Sequence, residues 1–374
     1  MNSESVSGYI FILPFVIGFL VFTVFPMLAS LVLSFTDYDM LSAPVFVGLK
    51  NYKQMFTQDP LIYKTLFNTF YFTITSVPLK LAFALMVAML LVNTNKITSI
   101  YRAMFYLPSM VGGSVAIAVL WRRMFAGDGL VNALLGAVGL PDDVYWLGNE
   151  NTAIWTLIIL AVWQFGSPML IFVAGLKQIP SSLYEAATVD GAGPIRKFFK
   201  ITLPMLSPTI FFNLIMQMIG ALTAFTQCFI ITNGKPLDST LFYAVYLYRQ
   251  SLTYSNMGYG SAMAWLMVVI IGILTAIVCM DMTSINTRMY VIHFPIFLRT
   301  YHLKIHVGYI AGRLCWDSCV LTGYIILTLR AWTAVFICMS MELWLRIARC
   351  LTLRVRWISH GIYTMEKIIW PCWR

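Results

Sequence analysis

Six long apolar runs, separated by shorter polar stretches, occupy the first three quarters of the chain. They extend over about Gly8 to Phe35, Thr69 to Val92, Met104 to Leu120, Ala153 to Leu176, Thr209 to Ile231 and Ser261 to Met280. Each is close to the ~20 residues that carry a helix across a bilayer. A segment in lipid must satisfy its own backbone N–H and C=O groups, and no ten-residue alternation suggests a barrel, so the runs predict helices. The first run lacks a basic leader and a small-residue cleavage site, and it reads as a retained span. The expected fold class is an all-α membrane protein with six transmembrane helices.

Composition strengthens this reading. Of 374 residues, 60% are hydrophobic and 11% charged, against roughly 45–50% and 25% in soluble domains. The net charge of +10 could suggest nucleic acid, but the basic residues flank apolar runs, where membrane lipid and topology account for them. No nucleic-acid partner is expected. The seven cysteines show no CxxC spacing, which argues against zinc and a disulfide framework. With the N-terminus inside, the inner loops hold Lys96, Arg102, Lys177, Arg196, Lys197 and Lys200, a higher Lys and Arg density than outside.

The chain divides near Cys279. Residues 1–280 carry 14 Lys and Arg against 11 Asp and Glu, whereas 281–374 carry 11 against 4 and hold all four histidines. The expectation is a transmembrane domain over 1–280 and an atypical tail over 281–374, frameshifted or otherwise non-native. The alternative is a seventh membrane segment near Val320 to Leu345. Arg330 inside that run would then cost ~2.5–3.5 kcal/mol.

The loop after the fourth run holds the most specific pattern. Ser182 and Glu185 match a capping box that would start a helix, and Asp190-Gly191 would stop it after about two turns. Pro194 suits the first turn of a second short helix carrying Arg196, Lys197 and Lys200, and Pro204 and Pro208 punctuate the entry to the fifth run. The expected shape is a bent pair of amphipathic helices beneath the membrane, a knob suited to a partner's cleft.

The stretch Glu185-Ala186-Ala187, Asp190-Gly191-Ala192-Gly193 and Leu203-Pro204 resembles, in residues and spacing, the EAA loop of permease subunits in bacterial ABC importers. The segments GLKNY at Gly48–Tyr52, NTFYFT at Asn68–Thr73 and YRAMFYLPSM at Tyr101–Met110 are similar to the sugar-importer branch, of the maltose and glycerol-phosphate type. The resemblance covers about residues 8–280. It implies the six-helix fold of type I importer permeases in the bacterial inner membrane. It also implies that these nine loop residues couple the chain to a cytoplasmic ATPase. The implied partners are a second permease subunit, two ATPase subunits and an extracytoplasmic solute-binding protein. No Gly-x-x-x-x-Gly-Lys-[Ser/Thr] loop occurs here, so no cofactor is expected on this chain, and ATP is hydrolysed by the partner.

Polar residues inside the runs are the candidates for a substrate path. Gln164 and Ser167 lie in the fourth run; Asn213 and Gln217, four apart, share a face of the fifth. Sugars want amides, hydroxyls and aromatic faces, although such residues also serve as interhelical hydrogen bonds at ~0.6 kcal/mol each. Gln227, ten positions past Gln217, falls off that face on a continuous helix. Lys80 is free to snorkel and is assigned no role. An ion-coupled secondary carrier is the alternative function, disfavoured by spans almost free of carboxylates. An enzyme is not expected, because 1–280 contains no histidine and no span holds a close carboxylate pair.

Overall fold

The computed structural model describes residues 12–298 except Thr94, with the backbone alone at Lys96 and over 281–298. The expectations for 299–374, including the seventh segment at Val320 to Leu345, lie outside the described residues. Four helices are long and apolar enough to cross a membrane: Ile12–Leu33, Pro60–Leu90, Pro194–Ile231 and Met257–Met280. Two bent pairs, Ile97–Val111 with Val115–Met124 and Glu150–Trp163 with Gly166–Leu176, bring the number of spans to six.

The second span, Pro60–Leu90, is the centre of the bundle and packs against both halves of the fourth span and against the fifth. Its buried face mixes Phe72, Val77, Leu81 and Ala84 with Thr65, Thr69 and Thr73. These threonines do not leave hydroxyls unpaired in an apolar setting, because each donates to a carbonyl one turn back, at 2.7–2.9 Å. The Thr69 oxygen also accepts the backbone N–H of Tyr243. Asn68 donates to the carbonyls of Asp238 and Leu241. The outer half of the second span thereby holds the loop that follows the fifth. Asp59, which caps the second span, accepts from the hydroxyls of Tyr246 at 2.6 Å and Tyr259 at 2.7 Å. Burial, and then this bond to Asp59, push the Tyr246 hydroxyl above the ordinary phenol range.

Three runs expected to be single straight spans are broken. The third bends by 95° at Gly112–Ser114. Glycines weaken a helix interior, and Ser114 caps the next segment by accepting from Ile117 N. The fourth bends by 41° between Trp163 and Gly166. At Gly166 a Cβ would collide with the carbonyl of Phe105, so the close crossing of third and fourth spans requires glycine. The fifth stops at Leu222 and resumes at Thr226.

The fifth span also starts far earlier than its apolar run. The chain is helical from Pro194 through Pro204 and Pro208, where a break was expected. A π-helical turn at Phe198–Thr202 lies within this stretch, just before Pro204, and Leu203 N–H bonds to the carbonyl of Phe198, five residues back. The wider turn accommodates Pro204, which lacks an N–H and whose ring would press on the carbonyl four residues back. The first span uses the same device, with a π turn at Leu20–Val24 just before Pro26.

Candidate functional site

Two places gather the residues singled out in the sequence. The first is the loop after the fourth span. Its helix covers Ser181–Val189 with Pro180 as the N-cap, in extended conformation, and no side chain caps it. The capping box expected at Ser182 and Glu185 therefore does not form. Pro180 fixes the extended entry and moves the N-cap two residues earlier, from Ser182 to Pro180, which leaves Ser182 inside the first turn. The predicted stop at Gly191 is present. Gly191 has φ +73°, Ala192 N–H reaches the carbonyl of Ala187 at 2.8 Å, and Gly191 N–H reaches that of Thr188 at 3.0 Å. This pair of bonds is a Schellman closure. Gly193 then caps Pro194, which occupies the first turn of the next helix.

The two helices are tied together. Lys197 Nζ donates to Thr188 Oγ1 at 2.7 Å, and the Tyr184 hydroxyl pairs with Thr202 Oγ1 at 2.8 Å. Because the second helix is continuous with the fifth span, the knob is rigidly joined to that span and is not a free pair under the membrane. Glu185, Ala186, Asp190, Gly191 and Gly193 are exposed; Ala187, Ala192, Leu203 and Pro204 are partly buried. Around the acidic residues the knob presents Leu183, Val189, Ile195 and Phe199 to the outside, with Val189 89% exposed.

The second place is a cavity of about 290 Å³ between the second, third, fourth and fifth spans. Gln164, Gln217 and Gln227 line it, together with Lys80, Thr226 and Phe225. Gln164 is at the bend of the fourth span. Its Nε2 donates to the carbonyl of Leu160 at 3.2 Å and approaches that of Gly112 at 3.4 Å, while Gln227 Nε2 donates to the Gly112 carbonyl at 3.0 Å. The bend at Gly112 is what leaves this carbonyl available to side chains of two other spans. A Cβ at Gly112 would collide with Gln164.

Of the four predicted path residues, Gln164 and Gln217 meet in this cavity. Ser167 and Asn213 are not in its lining. Asn213 is fully buried, and neither its Oδ1 nor its Nδ2 has a partner among the described residues. On a straight helix Gln227 would face away from Gln217. The break at Thr223–Phe225 resets that rotation and brings it in. Nothing in the local sequence, which has no Gly or Pro between Ala221 and Cys228, signals the break. Lys80, given no role from sequence, lines the same cavity.

A bundle of bent spans around a polar cavity, with an exposed knob on one end, is the architecture of a membrane transport subunit. The chain belongs to the family described as "Binding-protein-dependent transport system inner membrane component", which it matches over residues 59–288. It is therefore a multi-pass permease of the cell membrane and a transport component, not an enzyme. This membership sets aside the ion-coupled carrier. It is 55% identical to "Probable ABC transporter permease protein YesP" of Bacillus subtilis (strain 168), over 74% of this chain and 90% of that protein. It is 33% identical to "Arabinooligosaccharides transport system permease protein AraP" of the same organism, over 74% and 88%. A solved bacterial alginate ABC transporter, in complex with an alginate pentasaccharide-bound periplasmic protein, contains a chain of the same fold. The TM-score is 0.63 at 22% identity, covering 74% of this chain and 93% of that one.

Proposed function

We propose that this chain is one of two permease subunits of a sugar-importing ABC transporter. In this reading it lines the translocation path and couples to a cytoplasmic ATPase through the knob at Ser181–Lys197, while an extracytoplasmic binding protein delivers the sugar. The observation that carries the sugar reading is the meeting of Gln164, Gln217 and Gln227 beside Phe225 in one cavity. Amides donate to and accept from hydroxyls, and an aromatic face packs on the apolar side of a sugar ring. The arabinooligosaccharide relative supports the same class.

The knob supports the coupling. An exposed projection of charged and apolar side chains, bonded to the fifth span through Tyr184 and Thr188, can transmit a push from an ATPase cleft to the helix that lines the cavity. The test is to express the chain with a partner permease, an ATPase and a binding protein from the same organism and to measure ATP-dependent uptake of labelled oligosaccharides. Saccharide uptake that needs ATP and all four components is expected. Uptake of another solute class with no saccharide uptake would overturn the proposal.

A further inference from the structure

Lys80 is the charged residue in the cavity. No Asp or Glu lines this space, and Lys80 makes no hydrogen bond or ion pair among the described residues, whose ion pair is Lys50 with Asp37. A lysine within a span is costly, and such residues commonly mark a substrate path. The cavity around it is also unbalanced in its hydrogen-bonding groups. The Nε2 groups of Gln164 and Gln227 are committed to backbone carbonyls. Their Oε1 atoms accept no bond among the described residues and are acceptors open to hydroxyl donors. Lys80, by contrast, offers three donors and a positive charge, and no carboxylate among the lining residues balances that charge.

The complement to this arrangement is a molecule with hydroxyls on one side and an anionic group on the other. We propose that the cavity selects saccharides bearing a carboxylate, and that Lys80 is the counter-charge to that group. This rests on the sugar-permease reading above and narrows its substrate class. A charge-assisted bond in a space partly screened from water is stronger than a neutral one, and the charge partner would supply discrimination that the amides cannot. An uncharged sugar entering the same cavity would leave the ammonium partly desolvated and unpaired, which is a rejecting interaction in its own right.

The test uses the complete importer with its own binding protein, and two probes of equal length, trigalacturonate and its methyl ester. They share their hydroxyls and differ in charge. The unsubstituted transporter is expected to take up the acid in preference to the ester. Lys80→Gln should lower the acid-to-ester uptake ratio about tenfold, and Lys80→Arg should keep most of it. An unchanged ratio in Lys80→Gln, or no preference for the acid in the unsubstituted transporter, would overturn the proposal. So would loss of complex assembly in Lys80→Gln, which would place the ammonium against a carboxylate of the second permease subunit. Uptake of neutral oligosaccharides with neither probe transported would overturn the charge selection and leave the sugar reading standing. Absence of any saccharide uptake would remove both.

Discussion

The hydroxyl of Tyr184 lies 2.8 Å from Oγ1 of Thr202. One residue belongs to the exposed helix Ser181–Val189, the other to the π turn that opens the fifth span. Thr202 is buried and Tyr184 half-buried, so the bond is partly shielded from water. It connects the proposed ATPase-docking surface to the helix that carries Gln217.

Removing that bond tests the connection. Tyr184→Phe keeps the ring and deletes the hydroxyl, a loss of ~0.5–1.5 kcal/mol for an ordinary hydrogen bond. We expect uptake to fall severalfold while membrane insertion and co-purification of the ATPase persist. Thr202→Val should give a similar fall, and the double variant should be no worse than either single one, because both remove the same interaction. Additive losses would show that the two residues act separately.

Two glycines of the loop should respond differently. Gly191 has φ +73° with nothing near the position of a Cβ, so its requirement is conformational. An L-residue in the left-handed region costs ~1–2 kcal/mol, and a β-branched one resists it further. Gly191→Val should abolish uptake and ATPase docking with insertion intact, whereas Gly191→Asn should retain much of both. Gly193 has φ −69° and open space. Gly193→Ala is expected to fold normally. If it transports as poorly as Gly191→Val, the glycine at 193 is needed for close approach by the partner.

The six spans, the two-turn helix ending at Gly191 and the entry at Pro194 were legible because each has a local cause: an apolar run, a glycine at positive φ, a proline in a first turn. The path around Pro204 was not. Proline is a stop signal in isolation, and the π turn that accommodates it depends on bonds five residues back that no spacing rule exposes. The cavity was half legible. Gln164 and Gln217 are visible as amides within apolar runs, but the inclusion of Gln227 depends on a break at Thr223–Phe225 without a punctuating residue, and Lys80 reads equally well as a snorkelling side chain. The Gly112-Gly113-Ser114 triplet did carry a usable signal for the bend of the third span.

Asn213 and Gln217 are one turn apart on the fifth span, and their substitutions should separate. Gln217 lines the cavity, so Gln217→Leu should change transport rate and sugar preference without reducing complex yield. Asn213 is buried with both amide atoms unpaired among the described residues. An unpaired buried polar group costs ~1–3 kcal/mol, and replacing it with an apolar side chain of similar size leaves no partner stranded. Asn213→Leu is expected to leave preference unchanged and to match or exceed the parent in thermal stability of the purified complex. A shifted preference in Asn213→Leu, measured by uptake competition among several sugars, would return that residue to the path.

The tail is proposed to be dispensable. The apolar part of the sixth span ends at Met280, although its helical backbone continues to Leu298. The family match ends at residue 288, and net charge, histidine and cysteine content all change character near Cys279. A helix end extending past the bilayer adds little to insertion, which depends on apolar residues within it. A chain stopped after Met282 should therefore insert, pair with the second permease and transport at least as well as the full chain, and one stopped after Leu298 should do the same. Yield in the membrane fraction, co-purification of the partner permease and uptake rate are the three readouts. A reporter fused to the C-terminus of the full chain adds a fourth. Six spans place it on the same side as the N-terminus, whereas a seventh segment through Arg330 would move it across. Loss of assembly in both truncated chains, with the reporter on the opposite side, would make 281–374 a structural element of the permease.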